Sequence, residues 1–245
     1  MASREDKKSP VYSRVLIKLS GEALMGDQPY GISPEFLSVV AGQIRKARKQ
    51  GAEIGMVVGG GNIFRGVSGA AHGMDRAMAD QMGMLATVMN ALALQDALER
   101  QGVPCRVLSA IEVGRMAEPF VRGRALKHLR KKRIVIFAAG TGNPFFTTDT
   151  AATLRALETG ADILFKATRV DGVYDRDPYK FKDAKLYPSL TCSEILEKEL
   201  RVMDAAAISL ARDAGLPVMV FNMLKDNNIQ DAISGKPIGT IIKPE

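Results

Sequence analysis

Three stretches of this chain set charged side chains beside glycines, a combination in which a bare backbone and a fixed charge can meet an anion together. Lys18-Leu19-Ser20-Gly21 closes one apolar run, and Gly59-Gly60-Gly61-Asn62-Ile63-Phe64-Arg65-Gly66 follows a second. The third, FAAGTGNPFFTTDTAA from Phe137 to Ala152, carries Asp149 behind Gly140 and Gly142. A lysine ammonium neutralises phosphate oxygens as a point charge, and the planar fork of Arg65 suits the same oxygens. Thr147 or Thr148 can cap the helix that follows the third loop, leaving N–H groups at its positive end to face a phosphate. Each feature also has a plain reading. Asp149 suffices as a partner of the helix dipole, and Lys18 as an edge lysine with its ammonium in water. Their company in one chain favours phosphate handling.

Other chemistries lack support. The triple-glycine run is not a P-loop, which needs GxxxxGK followed by Ser or Thr, and no such string occurs in the chain. A dinucleotide GxGxxG fits poorly too, because the first strand runs into KLSG. Cys105 and Cys192 form no CxxC or Cys/His spacing, and His72 and His128 stand alone, so neither a disulfide framework nor a protein-held metal is expected. The net charge of +7 favours anionic partners without choosing between nucleic acid and small phosphorylated molecules. The densest basic cluster, Arg122, Arg124, Lys127, Arg130, Lys131, Lys132 and Arg133, reads as a solvated helix face anchored by Leu126 and Leu129. No aromatic stacking platform accompanies it, so a nucleic-acid partner is not expected.

The elements that must position these residues alternate between strand and helix. Apolar, β-branched runs predict strands at Ser13–Leu19, Glu53–Val58, Pro104–Ser109, Arg133–Ala139, Ala161–Ala167 and Pro217–Asn222, with a terminal strand at Thr240–Ile242. Helices are predicted from Ser33 and Pro34 to about Gln50, from about Met74 to Arg100, and from Arg122. Further ones are expected at Ala151–Glu158, Thr191–Leu200, Asp204–Ala214 and near Asn228–Ser234, while Ala110–Val121 fits either a short helix or a hairpin. In the longest helix, Met78, Met82, Leu85, Met89 and Leu92 form one apolar seam, and Met84, Val88, Ala91 and Leu98 a second side. One side can cover the sheet while the other meets a partner subunit, although packing within one subunit fits nearly as well. Asp80 among these residues is explained by an i,i+4 pair with Arg76. The alternation argues for a largely parallel sheet covered on both faces. No apolar run approaches the roughly 18–20 residues of a membrane span, and the leader, residues 1–10, lacks a secretory apolar segment, so a soluble cytoplasmic protein is expected.

KLSGEAL at Lys18–Leu24, GGGNIFRG at Gly59–Gly66, MGMLATVMN at Met82–Asn90, GTGNPFFTTD at Gly140–Asp149, KATRVDGVYDRDP at Lys166–Pro178 and EKELRVMD at Glu197–Asp204 resemble, in order and over nearly the whole chain, the bacterial uridylate kinase family of the amino-acid kinase superfamily. The resemblance implies an α/β fold, a three-layer α/β/α sandwich with a largely parallel central sheet. It implies transfer of the ATP γ-phosphoryl group to UMP in pyrimidine nucleotide biosynthesis, with Mg2+ accompanying ATP. Matching positions assign ATP to Lys18, Leu19, Ser20, Gly21, Gly61, Arg65, Thr168, Tyr174 and Asp177. UMP is assigned to Gly60, Asp80, Thr141, Gly142, Asn143, Pro144, Phe145, Phe146, Thr147 and Thr148. Lys18, Arg65 and Asp149 are the implied catalytic residues: the first two steady the transferring group, and Asp149 holds the cationic centre, whether lysine, magnesium or both. Asp80 fits a ribose hydroxyl, and Asn143 with its neighbouring amides the uracil edge.

The same resemblance implies activation by GTP through Gly26, Asp27, Gln28, Pro29, Tyr30 and Gly31, inhibition by UTP, and a homohexamer. It divides one domain, residues 11–245, into a UMP half at roughly 11–160 and an ATP half at roughly 161–245, with Lys18–Gly21 and Gly61–Arg65 also reaching ATP. Two rival readings keep the pocket but change its use. One is a catalytically silent nucleotide sensor or nucleic-acid-binding regulator, the other a kinase for a carbamate or an amino-acid carboxylate.

Overall fold

The computed structural model describes residues 10–64 and 73–245. Arg65, Gly66, His72 and most of the expected leader lie outside the described residues. In chain order the elements are β1 (Arg14–Leu19), α1 (Pro34–Arg48), β2 (Glu53–Val58), α2 (Arg76–Arg100), β3 (Cys105–Ser109), β4 (Glu118–Pro119), α3 (Arg122–Arg130), β5 (Ile134–Ala138) and α4 (Thr148–Thr159). There follow β6 (Ile163–Thr168), β7 (Val173–Tyr174), β8 (Leu186–Tyr187), β9 (Ser189–Thr191), α5 (Cys192–Glu197), α6 (Ala205–Asp213), β10 (Val218–Asn222), α7 (Asn228–Ile233) and β11 (Thr240–Lys243). Nine strands join one sheet in the order β4-β3-β5-β2-β1-β6-β10-β11-β9, and β7 pairs with β8 apart from it. Every pairing in the large sheet is parallel except that of β10 with β11.

Period-two alternation decides what each face carries. On β1, Val15, Ile17 and Leu19 enter the core beneath α1, α2 and α7, with Leu37, Ile44, Val88, Leu94 and Ile233. Leu16 points the other way, into the core of α3, α4, α5 and α6, with Phe137, Ala152, Ile195 and Ile208. These two cores separate three layers, helix, sheet and helix, the sandwich anticipated above. Lys18 shares the parity of Leu16, so it belongs to the face that α4 covers.

The helix starts follow local chemistry. Ser33 accepts from Phe36 N at 3.2 Å ahead of Pro34, Asp75 accepts from Met78 N at 2.9 Å, and Thr191 with Glu194 closes a capping box on α5. Ala110–Val121 is neither helix nor hairpin. It is a run of turns ending in β4, which pairs parallel to β3. The helix expected over Thr191–Leu200 stops at Glu197, because Glu199 takes a left-handed φ of 50° that no continuing helix allows. In α2 the two apolar sides part as anticipated except at Leu92: Met84, Val88, Ala91 and Leu98 are buried and Met78, Met82, Leu85 and Met89 are exposed, while Leu92 is partly buried against the core.

Candidate active site

β2, β5 and β3 lie on one side of β1, and the chain then crosses back to lay β6 and β10 on the other. The loops leaving the carboxyl ends of β1 and β6 therefore diverge, opening the crevice where sheets of this kind bind ligands. Lys18 and Lys166 stand at this point, side by side in the β1–β6 register and on the same face. Two like charges directly opposite repel each other. Asp149, in the first turn of α4, resolves the conflict: its Oδ1 lies 2.9 Å from Lys18 Nζ and its Oδ2 2.6 Å from Lys166 Nζ. None of the three side chains is more than 14% exposed, so water screens them little.

The titration of this triad follows from its burial. Burial, the largest single influence, pushes the Asp149 carboxyl up, but the charges and hydrogen bonds of the two lysines together outweigh it and hold the group below its ordinary range. Lys166 is pressed down to about 8, first by burial and then by the charge of Lys18, against the opposing pull of Asp149 and Asp204.

α4 is anchored from beneath. Thr147 caps it, accepting from Asp149 N at 3.0 Å and Thr150 N at 3.4 Å, so Thr148 is the first helical residue rather than the cap. The Thr147 hydroxyl donates in turn to Asp204, which also accepts from Thr150 Oγ1 at 2.8 Å while capping α6 through Ala207 N at 2.9 Å.

The glycines act through contact. A Cβ on Gly21 would meet the carbonyl oxygen of Gly59 at 2.6 Å, so the turns after β1 and β2 touch backbone to backbone. In the loop between β5 and α4, two non-glycine residues, Ala139 and Phe145, hold φ of 63° and 70°. Left-handed backbone at such positions costs roughly 1–2 kcal/mol each. Both are pinned by side chains of α2: Ala139 N donates to Thr87 Oγ1 at 2.7 Å and Phe145 N to Asp80 Oδ2 at 2.8 Å. Asp80 is also paired with Arg76 at 2.9 Å, as its spacing suggested, and the Arg76 guanidinium lies 5.8 Å from the centre of the Phe145 ring.

Two cavities flank the triad. The larger, ≈ 920 Å³, is lined by Lys18, Ser20, Lys166, Thr168, Tyr174 and Asp177 among others. The smaller, ≈ 440 Å³, is lined by Gly60, Asp80, Thr141, Asn143 and Phe146, together with Thr147 and Thr148. Lys18, Ser20 and Glu22 border both, so the cavities meet at the carboxyl end of β1. Of the residues assigned to ATP, Gly21 and Gly61 line the smaller cavity instead, and Leu19 is wholly buried in the core. Gly142, Pro144 and Phe145 line neither cavity, and nor do Gly26–Gly31.

Lys166 and Asp204 join the site although the sequence reading assigns them no role there. A signal for the first exists in the sequence: Ile163-Leu164-Phe165-Lys166 repeats the pattern of Val15-Leu16-Ile17-Lys18, three apolar residues and a lysine at a strand's carboxyl end. For Asp204 no such signal exists, since its cap to α6 is complete without Thr147 and Thr150.

Residues 13–222 match the family model of the amino acid kinase family. The structure is similar to that of UMP kinase from Bacillus anthracis, with a TM-score of 0.91 and 39% identity over 96% of this chain and 97% of that one. UMP kinase from Ureaplasma parvum superposes with a TM-score of 0.88 and 39% identity, covering 94% of this chain and 98% of that one. Uridylate kinase from Archaeoglobus fulgidus is more distant, with a TM-score of 0.72 and 27% identity over 93% and 99% of the two chains. The chain belongs to the amino acid kinase family, and the relatives it resembles over nearly their full length are UMP kinases.

Proposed function

We propose that this site transfers the γ-phosphoryl group of ATP to UMP, giving ADP and UDP. One observation carries the reading: two separate cavities converge on a buried Lys18–Asp149–Lys166 triad. The larger would take ATP, with Tyr174 beside the base and Thr168 and Asp177 along its wall. The smaller would take UMP, with Asp80 on the ribose and the Thr141–Thr148 loop around the base. On this reading the UMP half of the chain would form most of the smaller cavity and the ATP half most of the larger.

In the transfer, the bond from the γ-phosphorus to the β-bridging oxygen breaks, its electron pair leaves with ADP, and a UMP phosphate oxygen forms the new bond. The acceptor is already ionised at neutral pH, so no general base is needed. The protein's work is alignment and charge stabilisation. Lys18, shared by both cavities, and Lys166 place two ammonium groups where charge moves from donor to acceptor, and Arg65 adds a third cation in this reading. Asp149 fixes the positions of the two lysines. Among the described residues no three His, Cys, Asp or Glu side chains converge on a common point. Asp149 is the carboxylate at the centre of the site that would help hold a magnesium ion entering with ATP, and there the ion would neutralise phosphate charge.

GTP activation through Gly26–Gly31 and UTP inhibition go with this reading, as do a hexamer joined through the exposed face of α2 and a cytoplasmic location. The feature that would favour a nucleic-acid-binding regulator is the basic cluster. There Arg122 donates to the Glu158 carbonyl, Arg124 pairs with Glu118, Lys132 with Glu53, and Arg133 contacts His128. These contacts describe a structural surface. Among the described residues no helix is long and apolar enough to cross a membrane. An ADP-release assay offering UMP, CMP, AMP and GMP in turn, with and without GTP, tests the function. Turnover confined to UMP is expected, and no turnover with any acceptor would overturn the assignment.

A further inference from the structure

We propose that Asn62 and Asn90 form a positioning pair for phosphoryl transfer, a buried amide clasp that fixes the glycine turn after β2 and ties it to the Gly26–Gly31 loop. Both side chains are almost wholly inaccessible, 2% and 0% exposed. They bond reciprocally, Asn62 Nδ2 to Asn90 Oδ1 at 3.0 Å and Asn90 Nδ2 to Asn62 Oδ1 at 2.6 Å. Each amide then uses its second N–H on a backbone carbonyl: Asn90 on Gly59 O at 2.7 Å, Asn62 on Gly31 O at 2.8 Å. Gly31 N returns a bond to Asn62 O at 2.8 Å. All four amide hydrogens thus have acceptors, a network with no slack.

What the clasp holds matters for the chemistry. Gly59 is the residue against which Gly21 packs, and Gly21 follows Lys18 and Ser20, which border both cavities. A shift of the Gly59 carbonyl would move the floor of the acceptor cavity relative to Lys18. Misplacement by about 1 Å can cost about 100-fold in rate. Neither asparagine lines a cavity itself; the pair reaches the acceptor cavity only from behind, through Gly59, so its effect would be on geometry rather than on nucleotide binding.

This inference rests on the reading of the site as a UMP kinase, and its test separates the two. Asn62→Ala, Asn90→Ala and the double variant are assayed for kcat and for KM of ATP and UMP, below their melting temperatures, alongside hydrogen exchange. A fall in kcat of about 10- to 100-fold is expected, with both KM values within about threefold of the parent. Because the two residues act as one unit, the double variant should be no slower than the worse single. Exchange should quicken at Gly31 and Gly59–Gly61 together while β1 and β6 stay protected. A lowered melting temperature with kcat within twofold of the parent would make the pair merely structural and overturn the proposal. Faster exchange in only one of the two loops would overturn the tie between them. An inactive parent would instead sink the functional reading, and the exchange pattern would still decide whether the clasp couples the loops.

Discussion

Asp149 neutralises two lysines that the sheet register forces together, and this makes its removal unlike the loss of an ordinary surface carboxylate. In Asp149→Asn the carboxamide keeps the shape but leaves Lys18 and Lys166 facing each other without the carboxylate that bridges them. Turnover should fall by about 10²–10³-fold, the range for losing one preorganised electrostatic group. Stability should fall by about 1–3 kcal/mol, less than the ~3–5 of a fully enclosed pair because both lysines border open cavities. Steady-state kinetics and a urea melt check the two effects separately, and parental turnover would remove Asp149 from the mechanism. Lys166 supplies a second prediction. Its partners are Lys18, Asp149 and Asp204, and its depressed value of about 8 makes the charge titrate near working pH. The profile of kcat/KM for ATP, which reports the free enzyme, should fall on its basic limb near pH 8. Stability moves the opposite way. Between about 8 and the unfolded lysine value near 10.5 the unfolded chain binds more protons, so the parent should gain stability relative to Lys166→Met as pH rises. A basic limb that does not move in Lys166→Arg, whose guanidinium keeps its charge, would assign that limb to another group.

At the scale of elements, the chemistry sits where one element touches the next. The turns after β1 and β2 meet backbone to backbone at Gly21, where an added Cβ would lie 2.6 Å from Gly59 O and 2.8 Å from Gly59 C, neither on a side chain that can swing away. Gly21→Ala should therefore cost about 1–3 kcal/mol and at least tenfold in kcat/KM, measured by thermal melt and ADP release. Gly42→Ala, inside α1 with only Gln101 Oε1 at 3.6 Å, is the control, expected to stabilise by about 0.5–1 kcal/mol with activity unchanged. Most of this arrangement was legible in the sequence: the strands, the caps at Ser33, Asp204 and Thr191, and the loop carrying Asp149 all follow local rules. The junctions were not. Lys166 becomes a site residue only through its register with Lys18, and Asp204 only because α6 lies beside α4, both facts of long-range packing. The short pair β7 and β8, the two-residue β4 and the three-residue β9 escaped for a different reason, since two or three residues carry no periodicity.

Across the whole molecule, α2 connects the site with the outer surface. Its inward side supplies Asp80, Thr87 and Asn90, which hold the loop between β5 and α4 and the turn after β2. Its outward side exposes Met78, Met82, Leu85 and Met89 in a continuous stripe, a contiguous apolar surface of the kind that marks an interaction site. A second copy of the chain covering that stripe would brace the same helix that pins both strained residues, Ala139 and Phe145. Assembly and turnover should therefore fall together. In the double variant Met82→Glu, Leu85→Glu, the carboxylates would face each other across a self-complementary interface and could not be buried unpaired. Light scattering behind size exclusion should show a smaller particle than the parent, and specific activity should drop and become dependent on protein concentration. An unchanged particle mass would place the subunit interface elsewhere. A smaller particle with full activity would show that α2 holds its loops without help from a neighbour.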